Sequence, residues 1–145
     1  MERTRHCRTK RGSYSLLVRL PRSRTVRVGK LGTVEFARGC YVYTGSAMSG
    51  LEGRIGHHLG RKSRPRWHVD FLLAAPGARV ERWVEWETRR RSECALNRRF
   101  LRAEGAAVPV KGFGSSDCRE SCPAHLVYFE RRPDIEKIAH KVTRR

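Results

Sequence analysis

Five side chains in this sequence could act together on a phosphodiester: Tyr14, Tyr43, Arg54, His58 and Glu93. Hydrolysis of such a bond needs a base beside the attacking water, a cation beside the equatorial oxygens and a divalent ion beside the leaving oxygen. A phenol near a guanidinium loses its proton more readily and can serve as base. Arg54 can pair with the non-bridging oxygens, and Glu93 can hold Mg²⁺ or Mn²⁺ through oxygen. Each residue also has an ordinary explanation. Tyrosines pack on strands, an Arg with a His four residues on is a solvated helix face in a basic chain, and a Glu in a helix's first turn meets the positive end of the dipole. The set taken together is what points to chemistry.

A second constellation is Cys118-x3-Cys122-x2-His125, with Cys94 or His68 as candidate fourth ligand. Thiolates and imidazole suit a closed tetrahedral Zn²⁺ site joining the penultimate loop to the sheet, while buried thiols and a His bonded to a carbonyl would explain the same residues without metal. "GFGSSDC", with Ser116, offers amides and hydroxyls to a phosphate or forms an ordinary turn.

These residues need elements to position them. Residues 1–11 are a basic, structureless tail. "GSYSLLVRL" alternates Tyr14, Leu16, Val18 and Leu20 as a half-buried strand, and "TVRV" and "TVEF" continue a meander. In "CYVYTG" the tyrosines Tyr41 and Tyr43 share a face with Gly45. Ser46 or Ser49 can cap the next helix, with Leu51, Ile55 and Leu59 toward the core and Arg54 and His58 on a flank about 80° away. "WHVDFLLA" is predicted as a strand that places His68 and Asp70 on one face. A strand over 80–87, a helix over 92–103 with Leu96 and Phe100 inward, a strand in "HLVYFE" and a closing helix with Ile135, Ile138, Ala139 and Val142 on one side complete the chain. Glu93 is in register with Leu96 and Phe100, and an inward carboxylate needs a reason. The expected fold is one α+β domain over 12–145, with a small, mainly antiparallel mixed sheet flanked by helices.

Composition narrows the partner. The chain has 145 residues, 32 Lys and Arg against 14 Asp and Glu, and a formal charge of +18. Only six of the basic residues are Lys, which favours the planar, bidentate guanidinium suited to phosphates, although a GC-rich genome would write the same composition; nucleic acid is the expected polyanion, with an anionic membrane as the lesser alternative. No run of eighteen apolar residues exists, and the first eleven residues lack the apolar stretch of a secretory signal. A cytoplasmic, nucleoid-associated protein is expected. Five cysteines at irregular spacing read as thiols or ligands, not as a disulfide framework.

"GSY" opening the first strand, "YTG" ending the strand before the first helix, an Arg on that helix with an aromatic ring four residues on, and a Glu on the next helix resemble the GIY-YIG nuclease superfamily. "GCYVYTGSAMSGLEGRIGHHL", "WHVDFLL", "SECALN" and "GFGSSDC" with "HLVYF" resemble, more closely, its DUF123-type subfamily, sometimes joined to an endonuclease III-type glycosylase. The resemblance covers about residues 12 to 130. It implies that Tyr14 and Tyr43 are the signature tyrosines, one of them the general base, and that Gly45 permits close backbone approach. It further implies that Arg54 stabilises the phosphorane-like charge, His58 orients or relays a proton, and Glu93 binds a single metal. Gly45, Ser46, His68 and Ser116 form the expected substrate-binding set. Ser13 in place of Ile, Ser46 in place of a basic residue, and a longer hairpin between the motifs depart from the superfamily pattern.

The expectation is therefore a Mg²⁺- or Mn²⁺-dependent endonuclease acting on DNA, possible also on RNA, in repair or processing, with a glycosylase-type repair enzyme as candidate partner and no membrane role. Two alternatives stand beside it: a nucleic-acid-binding module that does not cleave, and a zinc-stabilised adaptor of a repair enzyme.

Overall fold

The computed structural model describes residues 10–60, 65–115 and 118–139. The expectations placed on residues 1–9, on Ser116 and on Val142 lie outside the described residues. The last two residues of the basic tail are not loose: the Lys10 carbonyl accepts from the Leu51 amide and the Arg11 carbonyl from the Thr88 amide.

Strands β1 (Gly12–Leu20), β4 (Gly39–Ala47), β5 (Arg79–Glu87) and β6 (Leu126–Phe129) form one sheet in the order β5-β1-β4-β6. All of its pairings are antiparallel, so the sheet is not mixed. Strands β2 (Arg24–Arg27) and β3 (Thr33–Phe36) make a separate two-stranded hairpin instead of extending a meander.

β1 is buried on both faces, not half-buried as its alternation suggests. Tyr14, Leu16, Val18 and Leu20 enter one core with Tyr41 and Tyr43, while Leu17 enters a second core with Val42, Val84, Leu96 and Phe100. The serines that make β1 look half-exposed are satisfied across the strand pair. Ser15 Oγ lies 2.6 Å from Thr44 Oγ1 and Ser13 Oγ 3.3 Å from Ser46 Oγ. Polar residues in a buried strand are tolerated when each finds such a partner.

Helices α1 (Leu51–Leu59) and α2 (His68–Leu73) belong to the Tyr14 side of the sheet. Helix α3 (Glu93–Leu101) and the short α4 (Ile135–Ile138) pack on the other side. Leu51 and Ile55 point into the core as expected, but Leu59 is 46% exposed and His58 is buried in its place. At 3.6 residues per turn a step of seven returns within about 20° of the starting direction and a step of eight overshoots by about 80°. The inward stripe is therefore 51, 55 and 58. Neither Ser46 nor Ser49 caps α1: Gly50 precedes it at φ 151°, with its amide on the Ala47 carbonyl.

The stretch predicted as a strand around His68 is helix α2. Asp70, the third residue of the helix, turns its carboxylate back to accept from the Arg66 and Trp67 amides, at 2.8 and 3.1 Å. Satisfying free amides at a helix start selects helix over strand in a run whose apolar pattern fits both. His68 and Asp70 consequently do not alternate on a strand face.

Candidate active site and metal-ligating cluster

Tyr14 and Tyr43 come from neighbouring strands, with ring centroids 6.2 Å apart, and His58 of α1 lies 5.6 Å from the first and 6.0 Å from the second. The Tyr14 hydroxyl is 2.8 Å from His58 Nε2, and His58 Nδ1 is 3.1 Å from Asp70 Oδ1. A carboxylate can only accept, so Nδ1 carries the proton, and in the neutral imidazole Nε2 then accepts from the phenol. The result is a continuous Tyr14–His58–Asp70 relay. His57 Nε2 donates to the second Asp70 oxygen at 3.0 Å.

The phenols are deeply placed: Tyr14 is 0%, Tyr43 5% and His58 3% exposed. Burial raises Tyr14 to about 12, offset in part by hydrogen bonding and charge from Arg54. Burial, then the neighbouring Tyr14, pushes Tyr43 well above the ordinary phenol value. Burial alone would raise Asp70 as well, yet hydrogen bonds from His58, the Arg66 amide, His57 and the Trp67 amide outweigh it and hold the carboxyl well below its usual range. At neutral pH the relay thus starts from a neutral phenol and ends on a carboxylate.

Gly45 explains why the strand needs no side chain there. A Cβ at this position would meet the Tyr14 hydroxyl at 2.8 Å and Tyr43 Cε2 at 3.2 Å. The expected close approach is made by the protein's own tyrosine.

Arg54 is half-buried above this network. It donates to the Ser46 carbonyl at 2.7 Å, and its guanidinium lies 4.1 Å from the centre of the Trp67 ring, over which Arg66 also sits at 4.8 Å. Ser46 in turn donates through its hydroxyl to Glu93 Oε1. Arg54 and Glu93 therefore converge on one residue from the two sides of the sheet, the carbonyl serving one and the side chain the other. Tyr14, Tyr43 and His58 are together on the α1 and α2 side, whereas Glu93 is reached around the end of β4. The Ser13, Ser46 and Ser92 hydroxyls and one carboxylate give this corner hard oxygen donors, which fit a Mg²⁺ or Mn²⁺ that retains several waters.

A groove of about 1060 Å³ runs over α1, lined among others by Lys10, Arg54, Arg66, Trp67, Trp83 and Glu85. Of the five residues singled out from the sequence, Arg54 alone lines it. Trp83 is 39% exposed. His57, Trp67 and Trp83 are not among the expected site residues, although the arginines just before Trp67 in "RPRWH" signal stacking, and Asp70, expected beside the cleft on a strand with His68, reaches the site from α2 instead. His68 holds a turn, its Nδ1 accepting from the Gly114 amide at 2.7 Å, with its ring on Phe113.

On the α3 side, Cys94, Cys118, Cys122 and His125 bring four ligand atoms within 4.8 Å of one another, a group that could hold a metal ion. Cys94 supplies the fourth position and His68 does not. The described cysteines are all free thiols. Burial opposes ionisation of Cys118, but donation from the Cys122 and Glu120 amides outweighs it and lowers that thiol, while burial pushes Cys94 and Cys122 up. His57, His58 and Asp70 are also close enough to share an ion. There, contacts of 3.0 and 3.1 Å and the two backbone donors to Asp70 are those of a hydrogen-bonded network.

No helix among the described residues is long and apolar enough to cross a membrane. No curated protein matches the chain, and neither does any solved structure. The family model for the domain of unknown function DUF123 matches residues 13–145, nearly the whole chain, and so reaches from Ser13 on β1 through the tyrosines, Arg54, Glu93 and the cysteine cluster. The chain belongs to the DUF123 family, which is GIY-YIG-like.

Proposed function

We propose that this protein is a DNA endonuclease that hydrolyses phosphodiester bonds with the help of Mg²⁺ or Mn²⁺ at Glu93. The observation that carries the reading is the convergence of Arg54 and Glu93 on Ser46, beside a relay that runs from Tyr14 through His58 to Asp70. A fully enclosed polar chain is costly to build unless each member is satisfied, and perturbed titratable groups beside a groove are a signature of catalytic sites.

In this reading the groove accepts the nucleic-acid backbone. Arg54, drawn from the Ser46 carbonyl and the Trp67 ring, pairs with the scissile phosphate, and its movement uncovers the phenols. Tyr14 takes a proton from the attacking water as its own proton passes to His58, and Asp70 stabilises the imidazolium. A bound divalent ion would supply charge stabilisation at the leaving oxygen. The Cys94, Cys118, Cys122 and His125 group is assigned to a separate ion, Zn²⁺. Nucleoid association and a glycosylase-type repair partner are extensions of the same proposal.

The test is cleavage of duplex, single-stranded, abasic and branched DNA in Mg²⁺ or Mn²⁺. Glu93→Gln and Tyr43→Phe should each lower cleavage at least ~10²-fold with DNA affinity retained, and the two losses should not add because both serve one transition state. Arg54→Ala should lower both cleavage and binding. Wild-type-like cutting by the Glu93→Gln protein, with contaminating nuclease excluded, would falsify the mechanism. A second reading, a binding module without cleavage, is favoured by the burial of both phenols. It predicts tight, salt-sensitive binding with no products under any metal.

A further inference from the structure

The fourth cysteine changes what the cluster can do. Cys94 is the second residue of α3, immediately after Glu93, whereas Cys118 and Cys122 belong to the loop that leads into β6 and His125 directly precedes that strand. Two pieces of chain far apart in sequence meet at one point. Their spacing is informative: Cys94 Sγ lies 3.5 Å from Cys118 Sγ and 3.7 Å from His125 Nε2. Four ligands around a zinc ion at about 2.3 Å for sulfur stand about 3.8 Å apart along each tetrahedral edge. A disulfide would need about 2.05 Å between sulfurs. The sulfurs are too far apart for a disulfide, and the four ligand atoms, all within 4.8 Å of one another, are close enough to share one ion.

The surroundings match. Cys118 Sγ accepts from the amides of Glu120 and Cys122, at 3.4 and 3.5 Å, which favours the thiolate that metal binding requires. The backbone of His125 is pinned to the central sheet, its carbonyl accepting from the Thr44 amide at 3.0 Å and its amide donating to the Phe113 carbonyl at 2.8 Å, which fixes where the imidazole starts. Asn97, one turn beyond Cys94, ties the same loop to α3 through the Ala124 carbonyl at 2.7 Å. Three soft thiolates and one imidazole select zinc over magnesium or calcium.

We infer that Cys94, Cys118, Cys122 and His125 bind one Zn²⁺ in a closed tetrahedral site, and that this ion anchors the first turn of α3 so that Glu93 is held against Ser46 at the end of β4. Zinc binding stands on the ligand geometry alone; the importance of holding Glu93 rests on the nuclease reading. A closed site leaves no position for water, so this ion organises the structure and takes no part in bond cleavage. The chain would then separate its two metals by chemistry, sulfur and nitrogen for the permanent ion and oxygen for the exchangeable one.

Elemental analysis of the full chain, purified without a histidine tag, should give one zinc per chain. Replacement by Co²⁺ should produce the visible and sulfur-to-metal charge-transfer bands of tetrahedral thiolate ligation. Hydrogen exchange then reads the second half of the inference: stripping zinc should speed exchange of the amides of Leu96 and Asn97 at least tenfold while those of β1 stay protected. Cys122→Ser, at a partly exposed ligand, should weaken retention of Co²⁺ and shift its spectrum. Zinc well below one per chain with no thiolate bands would overturn the site. Full zinc occupancy with unchanged exchange in α3 on stripping would overturn the anchoring of Glu93. None of these measurements uses DNA, so a zinc-loaded protein that never cuts would count against the nuclease assignment while leaving the ion in place.

Discussion

Asp70 is a carboxylate with no exposed surface, and it accepts from four donors: the amides of Arg66 and Trp67 and the rings of His57 and His58. Because these donors lower its pKa in the folded state, its contribution to stability is fully present above the unfolded value of about 3.9 and disappears as pH falls toward the folded value. The melting temperature should therefore drop as pH is lowered below about 4, and the drop should be shallower in Asp70→Asn over the same window. Asp70→Asn should also cost about 1.5–3 kcal/mol at neutral pH, read by urea denaturation, since donors that now meet a carboxylate would meet a neutral amide. An equal acid slope in both proteins would remove Asp70 from this role. The structure brings Tyr14, Tyr43 and His58 together and sets Arg54 on the groove beside them, a juxtaposition the sequence suggests through the family-like motifs that carry them. Asp70 reaches the site from a helix where its sequence suggests a strand, and nothing local in the sequence distinguishes His57, a histidine that meets a carboxylate thirteen residues away.

At the scale of elements, the strand-to-helix passage from β4 to α1 sets how closely the site can pack. Gly45→Ala should cost about 1–3 kcal/mol, because the added methyl meets the Tyr14 ring and hydroxyl and the Tyr43 ring in a core with no spare room. Gly53→Ala on the exposed side of α1 meets nothing within 4 Å and should instead stabilise by about 0.5–1 kcal/mol through helix propensity. Denaturant midpoints for the pair check both signs. Most elements could be read from periodicity: β5 and α3 fall where expected, and Leu96 and Phe100 are inward as predicted. The failure at α2 is instructive. Val69, Asp70 and Leu72 are buried among residues whose types suit either periodicity, and the deciding signal was an acid three residues after Trp67. In the sequence Cys94 and His68 are equal candidates for the fourth ligand, because Cys94 lies 24 residues from Cys118, a separation that only the fold closes.

For the whole molecule, the dominant quantity is the charge of +18. Ion pairs such as Arg82 with Glu136, Arg98 with Glu120 and Arg132 with Glu81 occupy a few of the cations, and Arg89, Arg90 and Arg91 stand exposed. If about six phosphates are engaged, affinity for DNA should fall roughly 10³-fold or more between 50 and 200 mM salt through counterion release. Fluorescence anisotropy across that range measures the slope, and a flat profile would rule out nucleic acid as the partner. Charge balance of this kind is fully legible in a sequence, whereas the route a strand of nucleic acid takes over the surface is not, because Trp67 and Trp83 reach one groove only after α2 and β5 are placed.

The central strand has a consequence for biogenesis. Gly12 pairs with Ala47 on one side and with Glu87 on the other, partners 35 and 75 positions downstream. β1 therefore leaves the ribosome before either partner and gains its first neighbour with β4, but its second only after 40 further residues, a lag of about 2–8 s at ~5–20 residues per second. In that interval β1 has an open edge rich in Leu and Val. The arginines that lie in or beside it in sequence, Arg11, Arg19, Arg22 and Arg24, are of the charged type that discourages strand addition by a second molecule at an open edge.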